Sequence, residues 1–211
     1  MPVDGEYHAR VTDVRGFQGS DFKYTLTVRP RKPDFKVSIG GVPDGVPKGS
    51  GREFNFRAER MDDFEGPIRL DISDAPAGFR ISSPIIIEAD QERAFGAVYA
   101  DADAPTPENE FVTVTATATL RGKKVTREIG KLTNIKALGK PKLLVQVTSN
   151  DTGAVKTGSF AEPLEFTVAP GETISARVKV ERNGFNGRIQ LGSHDAGRNL
   201  PHGVYVDNIG L

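Results

Sequence analysis

Residues 46–70 read VPKGSGREFNFRAERMDDFEGPIRL, and residues 168–191 read VAPGETISARVKVERNGFNGRIQL. The second stretch repeats the first. Each runs from a glycine-containing turn into an alternating strand, then Glu-Arg, then a polar turn with Phe and Gly, then another strand. Gly49 matches Gly171, Phe54 matches Ala176, Phe56 matches Val178 and Ala58 matches Val180. Glu59-Arg60 falls on Glu181-Arg182. After a one-residue deletion, Phe64, Gly66, Ile68 and Leu70 fall on Phe185, Gly187, Ile189 and Leu191. Upstream, Phe35, Val37 and Ile39 correspond to Leu143, Val145 and Val147; downstream, Pro76-Ala77-Gly78-Phe79 corresponds to Pro201-His202-Gly203-Val204. Recurrence at this spacing identifies a repeated module before it identifies an active site.

The alternation extends through the first copy. Val112, Val114, Ala116, Ala118 and Leu120 alternate with Phe111, Thr113, Thr115, Thr117 and Thr119. One face of that strand is apolar and the other is threonine, which suits the outer face of a sheet. Arg121-Gly122-Lys123-Lys124 turns the chain back. The same reading predicts strands at 35–39, 52–60, 67–72, 79–81, 85–88, 93–101, 110–120 and 123–130, with a last candidate at 131–136. About eight strands without a helix-period segment give an all-β fold, an immunoglobulin-like β-sandwich over residues 34–137. Phe54, Phe56, Ile68, Leu70, Val112, Val114 and Ala116 are its predicted core. Burying both Phe54 and Phe56 is expected to require a bulge or twist.

The chain has 211 residues, room for one or two domains. Lys+Arg and Asp+Glu are both 28, and this balance argues against a nucleic-acid partner. No apolar run is long enough to span a bilayer, and the first residues lack the basic-then-apolar pattern of a signal peptide. The absence of cysteine excludes thiolate metal sites and cysteine nucleophiles.

At the start, residues 6–15 (EYHARVTDVR) and 22–28 (FKYTLTV) alternate with period two, and a hairpin-sized loop joins them. Asp4-Gly5-Glu6-Tyr7, Val11, Gly16, Gly19 and the run from Asp21 to Val28 resemble the last two strands of the bacterial pre-peptidase C-terminal domain. That resemblance implies that residues 1–30 are a β-hairpin remnant of a jelly-roll-like domain on a secreted protein. Arg29-Pro30-Arg31-Lys32-Pro33-Asp34 reads as a stiff solvated linker. Leu138-Gly139-Lys140-Pro141 links to the second repeat, residues 141–211. That repeat reaches residue 211 without counterparts of 85–137. It is therefore expected to be an incomplete sandwich, disordered or aggregating when isolated, in a chain cut from a longer protein. Tandem neutral β modules on short proline linkers resemble the layout of planctomycete-type large secreted proteins.

Candidate chemistry is sparse. Asp101, Asp103 and Glu108, with Glu110 nearby, form the most acidic loop, and calcium takes oxygens from such loops. Pro105 and Pro107 interrupt it, so an ordinary polar loop is the leading reading and calcium the alternative. Asp62-Asp63 reads the same way; Asn183-Gly184 replaces it in the second copy, which suits a turn better than a required ligand pair. His194-Asp195 with His202 lacks a third ligand at a recognisable spacing. Ser82-Ser83 and Ser193 lack a nucleophile-elbow context. Glu59-Arg60 and Glu181-Arg182 cannot act jointly, because adjacent strand residues face opposite ways; a structural role at the strand end is expected.

These readings converge on a non-catalytic spacer, adhesion or protein-binding region of a secreted or cell-surface bacterial protein. Its partners would be neighbouring domains of the same polypeptide and protein or polysaccharide at the cell surface. The alternative is a carbohydrate-binding accessory region of a secreted hydrolase. The absence of tryptophan and the 8% aromatic content disfavour it.

Overall fold

The predicted threonine–apolar alternation becomes a strand in a computed structural model. That structure describes residues 4–73, 75–105, 112–133, 135–150, 162, 164–189 and 203–206. Among them there is no helix. The strands are β1 (Asp34–Gly40), β2 (Val46–Pro47), β3 (Ser50–Met61), β4 (Ile68–Ile72), β5 (Phe79–Ile81), β6 (Ile85–Ile87), β7 (Arg93–Ala100), β8 (Val112–Leu120), β9 (Lys123–Leu132), β10 (Ala137–Leu138), β11 (Leu143–Ser149) and β12 (Ala176–Arg182). The chain divides into two compact units, Met1–Arg31 and Lys32–Leu211.

In the larger unit, one four-stranded sheet has the order β1-β3-β7-β5 and the other β6-β4-β8-β9. All pairings in both are antiparallel. The first is the A-B-E-D order of immunoglobulin-type sandwiches. The second is the C-F-G order with an added edge strand, β6. The chain crosses between sheets after β3, β4, β5, β6 and β7, so each sheet presents an inward face to the other. Phe35, Phe54, Phe56, Ile68, Leu70, Ile87, Val112 and Val114 are each 0–2% exposed and form one core. All seven predicted core residues are buried in it, Ala116 included. Each large side chain contributes roughly 1.5–3 kcal/mol by leaving water.

Phe54 and Phe56 correct one expectation. Both are buried, and the β3–β7 register runs unbroken from Ser50 to Arg57 with no bulge. Residues two apart share a face, so an unbent strand buries both; their rings meet edge to face at 5.4 Å. The shift that does occur lies in β8–β9, between Val114 and Thr115, opposite Gly130.

The predicted strand at 131–136 resolves differently. Strand β9 continues to Leu132, and β10 then pairs parallel with β2. Val46 donates its N–H to Lys136 at 2.9 Å. Pro47 sits in this two-stranded edge, where its missing donor costs no ladder bond. Arg127 closes the neighbouring seam between sheets. It pairs with Asp34 at 2.6 Å, donates to the Phe35 carbonyl at 2.8 Å and lies over the Phe35 ring at 4.9 Å.

The first unit departs from its predicted hairpin. Residues 6–15 and 22–28 form no strand. Tyr7, Val11, Phe22, Tyr24, Leu26 and Val28 are 44–76% exposed. Two turns organise the segment, Gly16 N–H to Asp13 at 3.1 Å and Phe22 N–H to Gly19 at 3.2 Å, and the Phe17 and Phe22 rings stack at 6.0 Å. Alternation specifies a face, whereas a strand needs a neighbour to pair with, and a two-stranded ribbon is marginal in water.

In the second repeat, β11 pairs with β12 as Leu143↔Arg182, Val145↔Val180 and Val147↔Val178. The matching pairs in the first copy are Phe35↔Arg60, Val37↔Ala58 and Ile39↔Phe56. The repeat therefore reproduces the register of the first copy residue for residue. Its turns agree as well. Gly49 and Gly171 have φ of 72° and 82°, and Gly78 and Gly203 have 78° and 85°, a region that side chains with a Cβ avoid.

Candidate functional site

The repeated Glu-Arg is the point where sequence and structure meet most fully. Arg60 ends β3 and turns its guanidinium back over the following loop. It donates to the carbonyls of Gly66 at 2.5 Å, Glu88 at 2.8 Å and Gln91 at 3.1 Å, and lies over the Phe64 ring at 5.2 Å. The β3–β4 and β6–β7 turns are thereby held by one planar donor, which an arginine fork can satisfy at several carbonyls together. Arg182 repeats the motif. It donates to Phe185 at 3.2 Å and Gly187 at 2.8 Å and lies over the Phe185 ring at 5.8 Å. In each copy the glycine lies against that ring: a Cβ on Gly66 would stand 3.0 Å from Phe64, and one on Gly187 2.7 Å from Phe185. The structural role expected at the strand end is what the geometry provides.

Asp62 and Asp63 lie in the turn that Arg60 overlooks. Their φ values are 51° and 61°, and Phe64 N–H reaches the Met61 carbonyl at 3.2 Å. Two consecutive positive φ values under such a bond are the signature of a type I′ turn, which favours Asn-Gly. The second copy, one residue shorter, has Asn183-Gly184 there, and only Gly184 takes a positive φ, 87°, so the type I′ geometry of the first copy is not repeated. Asp62 also accepts the Lys32 N–H at 2.8 Å.

Asp101 follows β7, and its carboxylate is engaged by Arg80, whose guanidinium also lies 5.3 Å from the Tyr99 ring centre. The Asp101 carbonyl accepts the Ala104 N–H at 3.1 Å, which tucks Ala104 into the core. Asp103 is exposed on the same turn. Glu108 and Glu110 lie outside the described residues. Among the described residues no three His, Cys, Asp or Glu side chains converge as metal ligands. The arginine partner of Asp101 was not legible in the sequence, because Arg80 stands 21 residues away and meets it only through the β5–β7 pairing.

The serines serve the backbone. The Ser82 hydroxyl accepts the Ala97 N–H at 3.0 Å, and Ser83 accepts the Ile72 N–H at 3.0 Å. His8 is exposed, and His194, Asp195, His202 and Ser193 lie outside the described residues. The outer face of the β6-β4-β8-β9 sheet carries the threonine row. Thr117 and Thr126 hydroxyls bond at 2.9 Å across β8–β9, and Arg69 and Asp71 pair beside them at 2.7 Å. In the second repeat an open cleft of about 430 Å³ is lined by Ser149, Asn150, Glu165, Phe166, Ile174 and neighbours. No helix among the described residues is long and apolar enough to cross a membrane.

No family model matches the chain, and no curated protein matches it.

Proposed function

We propose that this chain is a non-catalytic, tandem β-sandwich region of a large secreted or cell-surface bacterial protein, acting as spacer, adhesion or protein-binding module. The observation that carries the reading is the repeat itself: β11–β12 has the register of β1–β3, with the same arginine-over-phenylalanine loop after it. Repetition of a scaffold in series is what a spacer or adhesive stalk requires, because length and valency grow with each module. The polar threonine face and the backbone-directed serines support a scaffold role over a reactive one.

Antibodies raised against the chain should label intact cells that produce it, or recover it from their medium. Labelling only after permeabilisation would overturn the extracellular reading. A glycan array should be flat; a strong signal on one defined polysaccharide would replace it with the carbohydrate-binding alternative.

A further inference from the structure

The loop under Arg182 carries two Asn-Gly steps, Asn183-Gly184 and Asn186-Gly187, where the first copy carries Asp62-Asp63 and Glu65-Gly66. Asn-Gly is the dipeptide most open to cyclisation, because a glycine nitrogen meets no Cβ on its approach to the preceding side chain. The two steps differ in surroundings. Asn183 is tied down: its amide donates to the Pro141 carbonyl at 3.2 Å, its N–H donates to Lys142 at 2.8 Å, and Gly184 is fixed at φ 87°. Asn186 and Gly187 are exposed, and neither the Asn186 amide nor the Gly187 N–H donates to another group among the described residues. Arg182 brackets that peptide, donating to the carbonyl before it, Phe185, and to the carbonyl after it, Gly187.

We infer that Asn186 is a site of spontaneous deamidation, at which the second repeat acquires the acidic side chain that the first carries as Glu65. The Gly187 nitrogen gives up its proton to solvent base and attacks Cγ of Asn186. The N–Cγ bond forms, the Cγ–Nδ2 bond breaks, and the amide nitrogen leaves as ammonia with a proton from water. Water then opens the five-membered imide at either carbonyl, giving aspartate or isoaspartate. The Arg182 guanidinium, held on the Phe185 and Gly187 carbonyls, puts a positive charge on the same loop as the carboxylate product. Glu65 in the first copy already supplies the acid, and a glutamate in that place offers no amide to lose.

The test is peptide mapping by mass spectrometry after ageing the full chain in mildly alkaline buffer, native and in denaturant. Asn186 should convert several-fold faster than Asn183 in the native chain, faster still at higher pH. The two rates should converge in denaturant, where the tether on Asn183 is gone. Asn186→Gln should remove that product and leave the slow conversion at Asn183 in place. Equal native rates at the two sites, or no conversion at Asn186 while the denatured chain reacts, would overturn the assignment.

Discussion

The two copies of the module share a register and differ in what lies across from it. In the first, Phe56 is 0% exposed beneath the β6-β4-β8-β9 sheet; its counterpart Val178 is 38% exposed. Val145 and Val147, the counterparts of Val37 and Ile39, are 42% and 51% exposed. Register therefore follows the alternation pattern and recurs even where burial does not. Burial is set by an opposing layer that no single hairpin contains.

The largest test of that contrast is a pair of truncations. Phe56→Ala should cost about 3–5 kcal/mol, because it opens a cavity between two closed sheets. Val178→Ala, its equivalent in the second copy, should cost no more than about 1 kcal/mol. Urea unfolding followed by circular dichroism reads both, and equal losses would show that the copies are covered alike.

Gly96→Ala sharpens the role of β7, the strand that covers the free side of β3. A Cβ there would stand 2.5 Å from Ile85 and 2.6 Å from Phe54. Overpacking of this kind should cost about 1–3 kcal/mol. An unchanged urea midpoint would mean that the sheets approach less closely than this.

The arginines come next. Arg60→Ala should cost about 1.5–3 kcal/mol, since it strips a charged donor from three carbonyls. Arg182→Ala should cost less, because it loses two exposed carbonyl partners, whereas Arg60 loses three, one of them the part-buried Gly66 carbonyl. Hydrogen exchange of the β3–β4 turn against the loop at 183–187 gives the comparison, and a larger effect at Arg182 would break it.

Two smaller effects belong to the first copy alone. The Asp34 carboxyl is held below its ordinary range, first by the Arg127 hydrogen bond and then by the Phe35 N–H. A depressed carboxylate stabilises the fold above its unfolded value, about 3.9, and that contribution is lost as pH falls through the folded value. With the side chain 39% exposed, the pair is worth no more than about 1 kcal/mol and weakens with salt. The stability gap between wild type and Asp34→Asn should therefore close on acidification below about pH 4, and a gap that widens there would contradict the assignment. A chelator should leave the melting temperature unchanged, because Asp101 is already neutralised by Arg80. A chelator-induced drop would instead support calcium at Asp101, Asp103 and Glu108.

The sequence by itself determined the all-β class, the positions of β1 and β3–β9, the core parity of β3, β4 and β8, and the structural character of the repeated arginine. These follow from period-two alternation and turn chemistry, which act over a few residues. Tertiary structure alone decided the parallel β2–β10 closure, the Arg80–Asp101 and Arg127–Asp34 pairs, and the departure of residues 6–28 from their predicted hairpin. Each depends on which segment comes to lie beside another. Alternating side chains define two faces of a strand, and only a paired neighbour and a covering sheet decide whether the strand forms and which face is buried.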